Sequence, residues 1–247
     1  MLLAHDTVGS GAPVAFVHGF TQTRSSWMPL VTQLEGLECT LIDAPGHGES
    51  AGETLDLHGC GDAIAATMTR GALVGYSMGA RMALHAALDH PEHVTSLVLM
   101  SGTAGIEDAA ERADRRRADD ALADRIEQIG VDNFIDEWLA SPMFAGLPAA
   151  ASMRDERRRN TAHGLAGSLR NAGTGTQENL WPRLGELTVP VLIVTGDLDE
   201  KFTSIGGRLH TAIPGSRWER VAGSGHTVHL EATSAVAAIL NDWLVRN

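Results

Sequence analysis

The chain has 247 residues, 43% of them apolar and 4% aromatic, so Leu, Val, Ile and Ala must fill most of its core. That length suits one large domain or two small ones. With 19 Lys and Arg against 31 Asp and Glu, the net charge is −12, which repels nucleic acid and anionic membrane and argues against both as partners. No apolar run reaches the roughly 18 residues of a spanning helix. The opening Met-Leu-Leu-Ala turns polar at His5-Asp6 and has no basic region of a secretory signal. Cys39 and Cys60 form neither a disulfide framework nor a CxxC pair. These features predict a cytoplasmic protein, monomeric or weakly self-associating, that acts on small molecules.

Short apolar runs bounded by Gly, Pro or Asp recur at Val14–Val17, Cys39–Ile42, Ala72–Val74, Ser96–Met100 and Val189–Val194. Their length and flanks suit buried strands of a parallel sheet. Between them, Ser25–Leu34, Leu57–Met68, Met78–Leu88, Ile205–Ala212 and Ala235–Val245 carry apolar residues at helical spacing. The alternation predicts a mostly parallel central sheet flanked by helices on both faces. From about Ala104 to Gly175 it stops. Asp108–Ile129, Val131–Leu139 and Ala149–Asn160 read as helices, and 10 of the 18 arginines lie in this stretch. The expected organisation is a core of residues 1–103 and 176–247 with residues 104–175 inserted as a helical lid. Such a lid would cover the sheet edge where open α/β sheets bind ligands. Two or three of its arginines are expected to face the site.

Gly75-Tyr76-Ser77-Met78-Gly79 fits G-x-S-x-G, with Ala72-Leu73-Val74 before it as a strand and Met78 to Leu84 after it as a helix. That setting is a nucleophile elbow. Ser77 would project its hydroxyl from a tight turn, and the two glycines would remove side chains that collide there. The helix N-terminus would aim N–H groups at developing negative charge. His18-Gly19-Phe20 follows the first parallel strand, so the Phe20 amide can oppose that of Met78 in an oxyanion hole. Asp43 to Ser50 is a Gly-rich turn read as scaffold, with His47 structural.

A serine hydroxyl needs a histidine to take its proton, and the histidine needs a carboxylate to hold its tautomer. Thr195-Gly196-Asp197-Leu198-Asp199 ends the strand at Val189–Val194 and offers two carboxylates. Asp199, third beyond the Gly, is favoured as the acid, and Asp197 is read as a turn cap. Past a predicted edge strand at Arg217–Val221, Gly225-His226 supplies the base, while His229 reads as a helix-start or surface histidine. The 11 histidines show no HExxH or HxH spacing, and no P-loop or GxGxxG occurs, so neither metal nor nucleotide cofactor is expected.

The His18-Gly19 loop, Asp43 to Ser50, the elbow at Ser77, Gly196-x-x-Asp199 and Gly225-His226 together resemble the α/β-hydrolase superfamily along nearly the whole chain. A narrower resemblance is to the 2-succinyl-6-hydroxy-2,4-cyclohexadiene-1-carboxylate synthases of menaquinone biosynthesis. It rests on Leu73 to Arg81, Glu111 to Arg117, Asn171 to Gly175, Leu180-Trp181-Pro182, Gly196 to Phe202 and Ala222 to Glu231. Ala80 departs from the second glycine usual in that family. The resemblance implies an α/β-hydrolase fold and a lyase that uses a Ser77–His226–Asp199 triad to eliminate pyruvate. It also implies substrate-carboxylate binding by Tyr76, Arg81, Arg115, Trp138 and Arg159, with no cofactor. Two rivals share the fold: an ester or thioester hydrolase with an acyl-serine intermediate, and a ligand receptor without turnover. The intact Ser, Asp and His argue against the receptor.

Overall fold

The computed structural model describes residues 1–246. In chain order the elements are β1 (His5–Gly9), β2 (Ala12–Val17), α1 (Met28–Val31), β3 (Leu37–Ile42), α2 (Leu57–Thr67), β4 (Gly71–Tyr76), α3 (Met78–Asp89), β5 (Val94–Met100), α4 (Ala109–Leu139), α5 (Arg154–Arg157), α6 (Ala162–Ala172), β6 (Val191–Gly196), α7 (Glu200–Ala212), β7 (Arg217–Val221), α8 (Val228–Glu231) and α9 (Thr233–Arg246). The seven strands form one sheet in the order β1-β3-β2-β4-β5-β6-β7. Only β1 runs antiparallel, pairing with β3. Strands β4 and β6 are buried along their whole length, as expected when helices cover both faces of a parallel sheet. One apolar cluster gathers Leu73, Leu97 and Ile193 with α2 and α3. A second gathers Val74, Val98 and Leu192 with Trp27 and α9. Successive strand residues thus feed opposite faces.

Strands β5 and β6 are neighbours, yet residues 104–175 between them form no strand and contribute α4, α5 and α6. This segment has its own apolar cluster, with Ile126, Phe134 and Ile135 of α4 against Leu165 and Leu169 of α6. Helix α4 is interrupted at Gly130, whose φ of 77° no ordinary helix residue adopts. The two helices expected on either side of that glycine are therefore present, joined end to end.

Several expectations are corrected. The helix expected at Ser25–Leu34 is a 3-10 turn at Arg24–Trp27 followed by the short α1. Pro29 lacks an N–H and would crowd the carbonyl four residues back, so one helix cannot run through it. The helix expected at Ala149–Asn160 shrinks to a 3-10 turn and α5, separated by Met153 in the left-handed region at φ 52°. Helix α6 was not anticipated, because Gly164 and Gly167 blur its pattern. Thr161 caps it, accepting from the Gly164 amide at 3.0 Å. Strand β1 was also missed, being polar and exposed on most of its length.

Candidate active site

Strand β2 connects to β3 on one side and its neighbour β4 connects to β5 on the other, so the connections leaving these two adjacent strands run in opposite directions. In open α/β sheets that reversal opens a crevice at the carboxyl ends of the strands, where ligands bind. Ser77 sits there, directly after β4, with φ 51° and ψ −107°. Such a conformation is strained for a residue with a side chain and persists because its surroundings fix it. Its amide donates to the Met100 carbonyl at 2.8 Å. A Cβ at Gly79 would stand 2.1 Å from the Val17 carbonyl oxygen, and one at Gly75 would stand 2.4 Å from that of Gly79. Glycine at 79 lets α3 approach β2 this closely, and glycine at 75 lets the start of α3 fold back onto β4.

The structure brings Ser77, His226 and Asp199 together. Ser77 Oγ lies 3.0 Å from His226 Nε2, and His226 Nδ1 lies 2.7 Å from Asp199 Oδ2. Asp199 also caps α7, accepting from the Phe202 amide at 3.1 Å, so the helix starts at Glu200 and not at Ile205 as expected. Burial alone would raise the Asp199 pKa. The hydrogen bonds from His226 and the Phe202 amide, with the nearby charges of His226 and Lys201, hold it below the usual carboxylate value. Asp197 instead accepts from the Gly223 amide at 2.8 Å and ties two turns together. His226 is held by a residue that sequence reasoning missed: Glu231 accepts from the Gly225 amide at 2.7 Å and the Thr227 amide at 2.8 Å, clamping the chain on both sides of the imidazole.

Phe20 and Met78 both line the cavity above Ser77. The Met78 amide is in the first turn of α3, where helix N–H groups lack intrahelical partners. Around Phe20, the Gly19 amide donates to Gln22 Oε1 at 3.0 Å and the Thr21 amide to His47 Nε2 at 3.3 Å. Two buried histidines set this loop. His47 Nδ1 reaches the Pro45 carbonyl at 3.0 Å, and His18 Nδ1 reaches that of Gly19 at 2.9 Å. His18 Nε2 accepts from the Ala44 amide at 3.0 Å. Each ring therefore carries its proton on Nδ1 and accepts at Nε2, the neutral form. Burial lowers both pKa values, that of His47 to about 3.

A sequence model of the alpha/beta hydrolase family matches residues 14–239. The chain belongs to the alpha/beta hydrolase family. Among curated relatives, a putative 2-succinyl-6-hydroxy-2,4-cyclohexadiene-1-carboxylate synthase of Bacillus subtilis is 36% identical, covering 98% of this chain and 93% of that protein. The synthase of that name from Serratia proteamaculans is 30% identical over 93% of this chain and 92% of its own length. Among solved structures, MenH from S. aureus superposes with a TM-score of 0.89 at 30% identity and 98% coverage of both chains. An esterase of Thermogutta terrifontis, with a TM-score of 0.84 at 22% identity, shares the fold.

The cavity of this alpha/beta hydrolase has a volume of about 540 Å³ and is walled by both the sheet edge and residues 104–175. Arg81, Arg115 and Trp138 line it, as does Arg208 of α7, which sequence reasoning missed. Arg81 is buried, and its guanidinium donates to the Ala172 carbonyl at 2.8 Å. Burial and then the charge of Arg115 lower its pKa to about 10, so it remains a cation at neutral pH. Among the described residues no carboxylate lies within 4.0 Å of it. Arg115 is tethered to the buried Asp119 at 2.8 Å. Arg208 stacks on the Trp181 ring at 4.2 Å. Trp138 meets the Phe20 ring edge-on, and its buried indole N–H has no acceptor.

Four expectations need correction. Arg159 is 62% exposed, does not line the cavity and pairs with Glu156. The buried arginine of that run is Arg157, the last residue of α5, whereas Arg159 lies in the turn beyond the helix. Its guanidinium donates to the Thr21 hydroxyl and the Ser152 carbonyl, fastening the segment to the loop after β2. Tyr76 is buried beneath the site and does not line the cavity. Its ring packs against His226 and His229, and its hydroxyl donates to Thr227 Oγ1 at 3.2 Å. His229 starts α8 but is buried, not on the surface, with its ring 4.6 Å from that of Trp27. Of the ten arginines in residues 104–175, Arg115 alone lines the cavity among the described residues.

Proposed function

We propose that this enzyme is a lyase. It would eliminate pyruvate from 2-succinyl-5-enolpyruvyl-6-hydroxy-3-cyclohexene-1-carboxylate to give 2-succinyl-6-hydroxy-2,4-cyclohexadiene-1-carboxylate in menaquinone biosynthesis. The observation that carries this reading is the buried Arg81 guanidinium, with no carboxylate of its own, beside Arg115 on the wall of the cavity above Ser77. Arg115 is paired with Asp119, and Glu107, Asp108 and Glu111 also line the cavity, so the cation left without a carboxylate on this wall is Arg81; guanidinium groups recognise carboxylates by paired hydrogen bonds. A substrate with three carboxylates fits such a wall, and the near full-length similarity to synthases of that name agrees with it.

His226, oriented by Asp199, takes the Ser77 proton. The Ser77 oxygen then removes a ring C–H proton from the substrate. The C–H electron pair forms one ring double bond, the single C=C of the ring shifts by one position, and the C–O bond to the enolpyruvyl group breaks, leaving a conjugated diene. The departing enolpyruvate takes up a proton and becomes pyruvate. The Phe20 and Met78 amides hold the negative charge that develops on the substrate, and the Trp138 ring walls the same cavity. Residues 104–175 act as the lid that excludes water and so strengthens these interactions. No covalent acyl-enzyme forms.

The test is direct. Purified enzyme given the enolpyruvyl precursor should release one pyruvate per cyclohexadiene product, followed by a coupled lactate dehydrogenase assay. Faster hydrolysis of a simple aryl ester, with an acyl-serine trapped on Ser77, would make the enzyme a hydrolase instead. Arg115→Ala should raise KM for the tricarboxylate about 10- to 100-fold, the worth of one charge-assisted hydrogen bond. Arg159→Ala should leave KM within about twofold, because an exposed ion pair contributes little. Steady-state kinetics on both variants separates the two, and equal effects would remove Arg115 from the substrate.

A further inference from the structure

We propose that His58, His85 and Glu178 form a site for a divalent transition metal, best suited to Zn²⁺, that ties α2 and α3 to the chain leaving the inserted helices. One ligand atom from each of the three residues lies within 4.8 Å of the others. None of the three lines the cavity above Ser77.

His85 is the observation that points to a ligand. It is 1% exposed, and neither of its ring nitrogens has a hydrogen-bond partner. An imidazole buried with both nitrogens idle is costly, and a metal ion would relieve that cost. Its ring meets His58 edge-on at 4.9 Å. His58 is already arranged as a ligand. Its Nδ1 lies 2.7 Å from Asp89 Oδ2, the carboxylate–imidazole contact that fixes a metal-binding tautomer and leaves Nε2 free to bind. His58 Nε2 is 3.3 Å from Glu178 Oε1. Zinc bonds of about 2.0–2.1 Å in a tetrahedron put neighbouring ligand atoms about 3.3 Å apart. The side chains of His58 and Glu178 are half exposed, so they can turn to complete the third edge with His85.

Two imidazoles and one carboxylate suit zinc, with water in the fourth position. Arg183 lies 3.8 Å from Glu178, but it is held more closely by Asp89 at 3.0 Å and Glu186 at 3.1 Å. Glu178 lies two residues before Leu180, whose amide donates to the Ala104 carbonyl at 2.8 Å and closes the base of the inserted segment. A metal there would pin that base to the core.

Metal-free protein would be titrated with Zn²⁺ alone by calorimetry and with Co²⁺ alone by visible absorption. One equivalent should bind, Co²⁺ should show the intense absorption of a four-coordinate ion, and saturating Zn²⁺ should raise Tm. His58→Ala and Glu178→Gln should lose stoichiometric binding while keeping the metal-free Tm and the rate of pyruvate release. Both side chains are half exposed, so these variants test the site even if His85→Gln does not fold. Absence of stoichiometric binding in the wild type, or binding unchanged in the two variants, would overturn the proposal.

Discussion

Ser77→Ala should cut pyruvate release by about 10³-fold or more while leaving the fold intact. The substitution removes one oxygen from a position whose backbone is set by Gly75, Gly79 and the Met100 carbonyl, so Tm should stay within a few degrees. Asp199→Asn is the sharper companion. Asn caps a helix as well as Asp does, so α7 should keep its start. The amide cannot favour the Nδ1-protonated His226 or stabilise it once charged, and kcat should fall about 10²- to 10⁴-fold. The pyruvate assay and thermal unfolding measured on the same samples decide the matter. A Ser77→Ala enzyme within tenfold of the wild-type rate would sink the triad.

Stability should fall steeply on acidification through pH 6.5 toward pH 4.5. Burial lowers the pKa of His18, that of His47 to about 3, and that of His229 well below the ordinary value. Unfolded, each imidazole takes up a proton near pH 6.5; folded, His47 does so only near pH 3, His229 only well below the ordinary value and His18 below it. The unfolded state therefore binds more protons across this interval, and stability rises with pH there. The contribution is complete above about pH 6.5 and is lost as pH drops toward 3. Each such histidine costs up to about 1.4 kcal/mol per pH unit below 6.5. Urea unfolding at several pH values should show that slope, and His47→Gln should reduce it by about one proton. A flat profile between pH 7 and 5 would mean that these rings are not held neutral.

Much of the core could be read from sequence because its chemistry is local. G-x-S-x-G between an apolar strand and a helix specifies the elbow within nine residues, and Gly196-x-x-Asp199 places a carboxylate at the end of another strand. Residues whose role depends on where a short helix stops were harder. Arg157 ends α5 and Arg159 lies in the turn beyond it, and an arginine-rich run does not mark that boundary. Arg208 was invisible because its significance comes from α7 packing beside Trp181, which no local pattern encodes. Glu231 escaped for a similar reason: a carboxylate in the first turn of a four-residue helix reads as a cap until the His226 loop is seen wrapped around it. The polar β1 lacked the apolar signal by which the other strands were found.

Residues 104–175 carry their own apolar cluster, and beyond the two chain crossings they meet the core at the loop after β2, where Phe20 packs and Arg157 bonds Thr21, and at α3, where Arg81 bonds the Ala172 carbonyl. Substitutions inside that cluster that keep the contact with Phe20 can accumulate without changing the strands that carry Ser77 and Asp199 or the turn that carries His226. Natural selection can reshape what this enzyme admits by drifting one module, while the proton-transfer apparatus beneath stays as it was inherited.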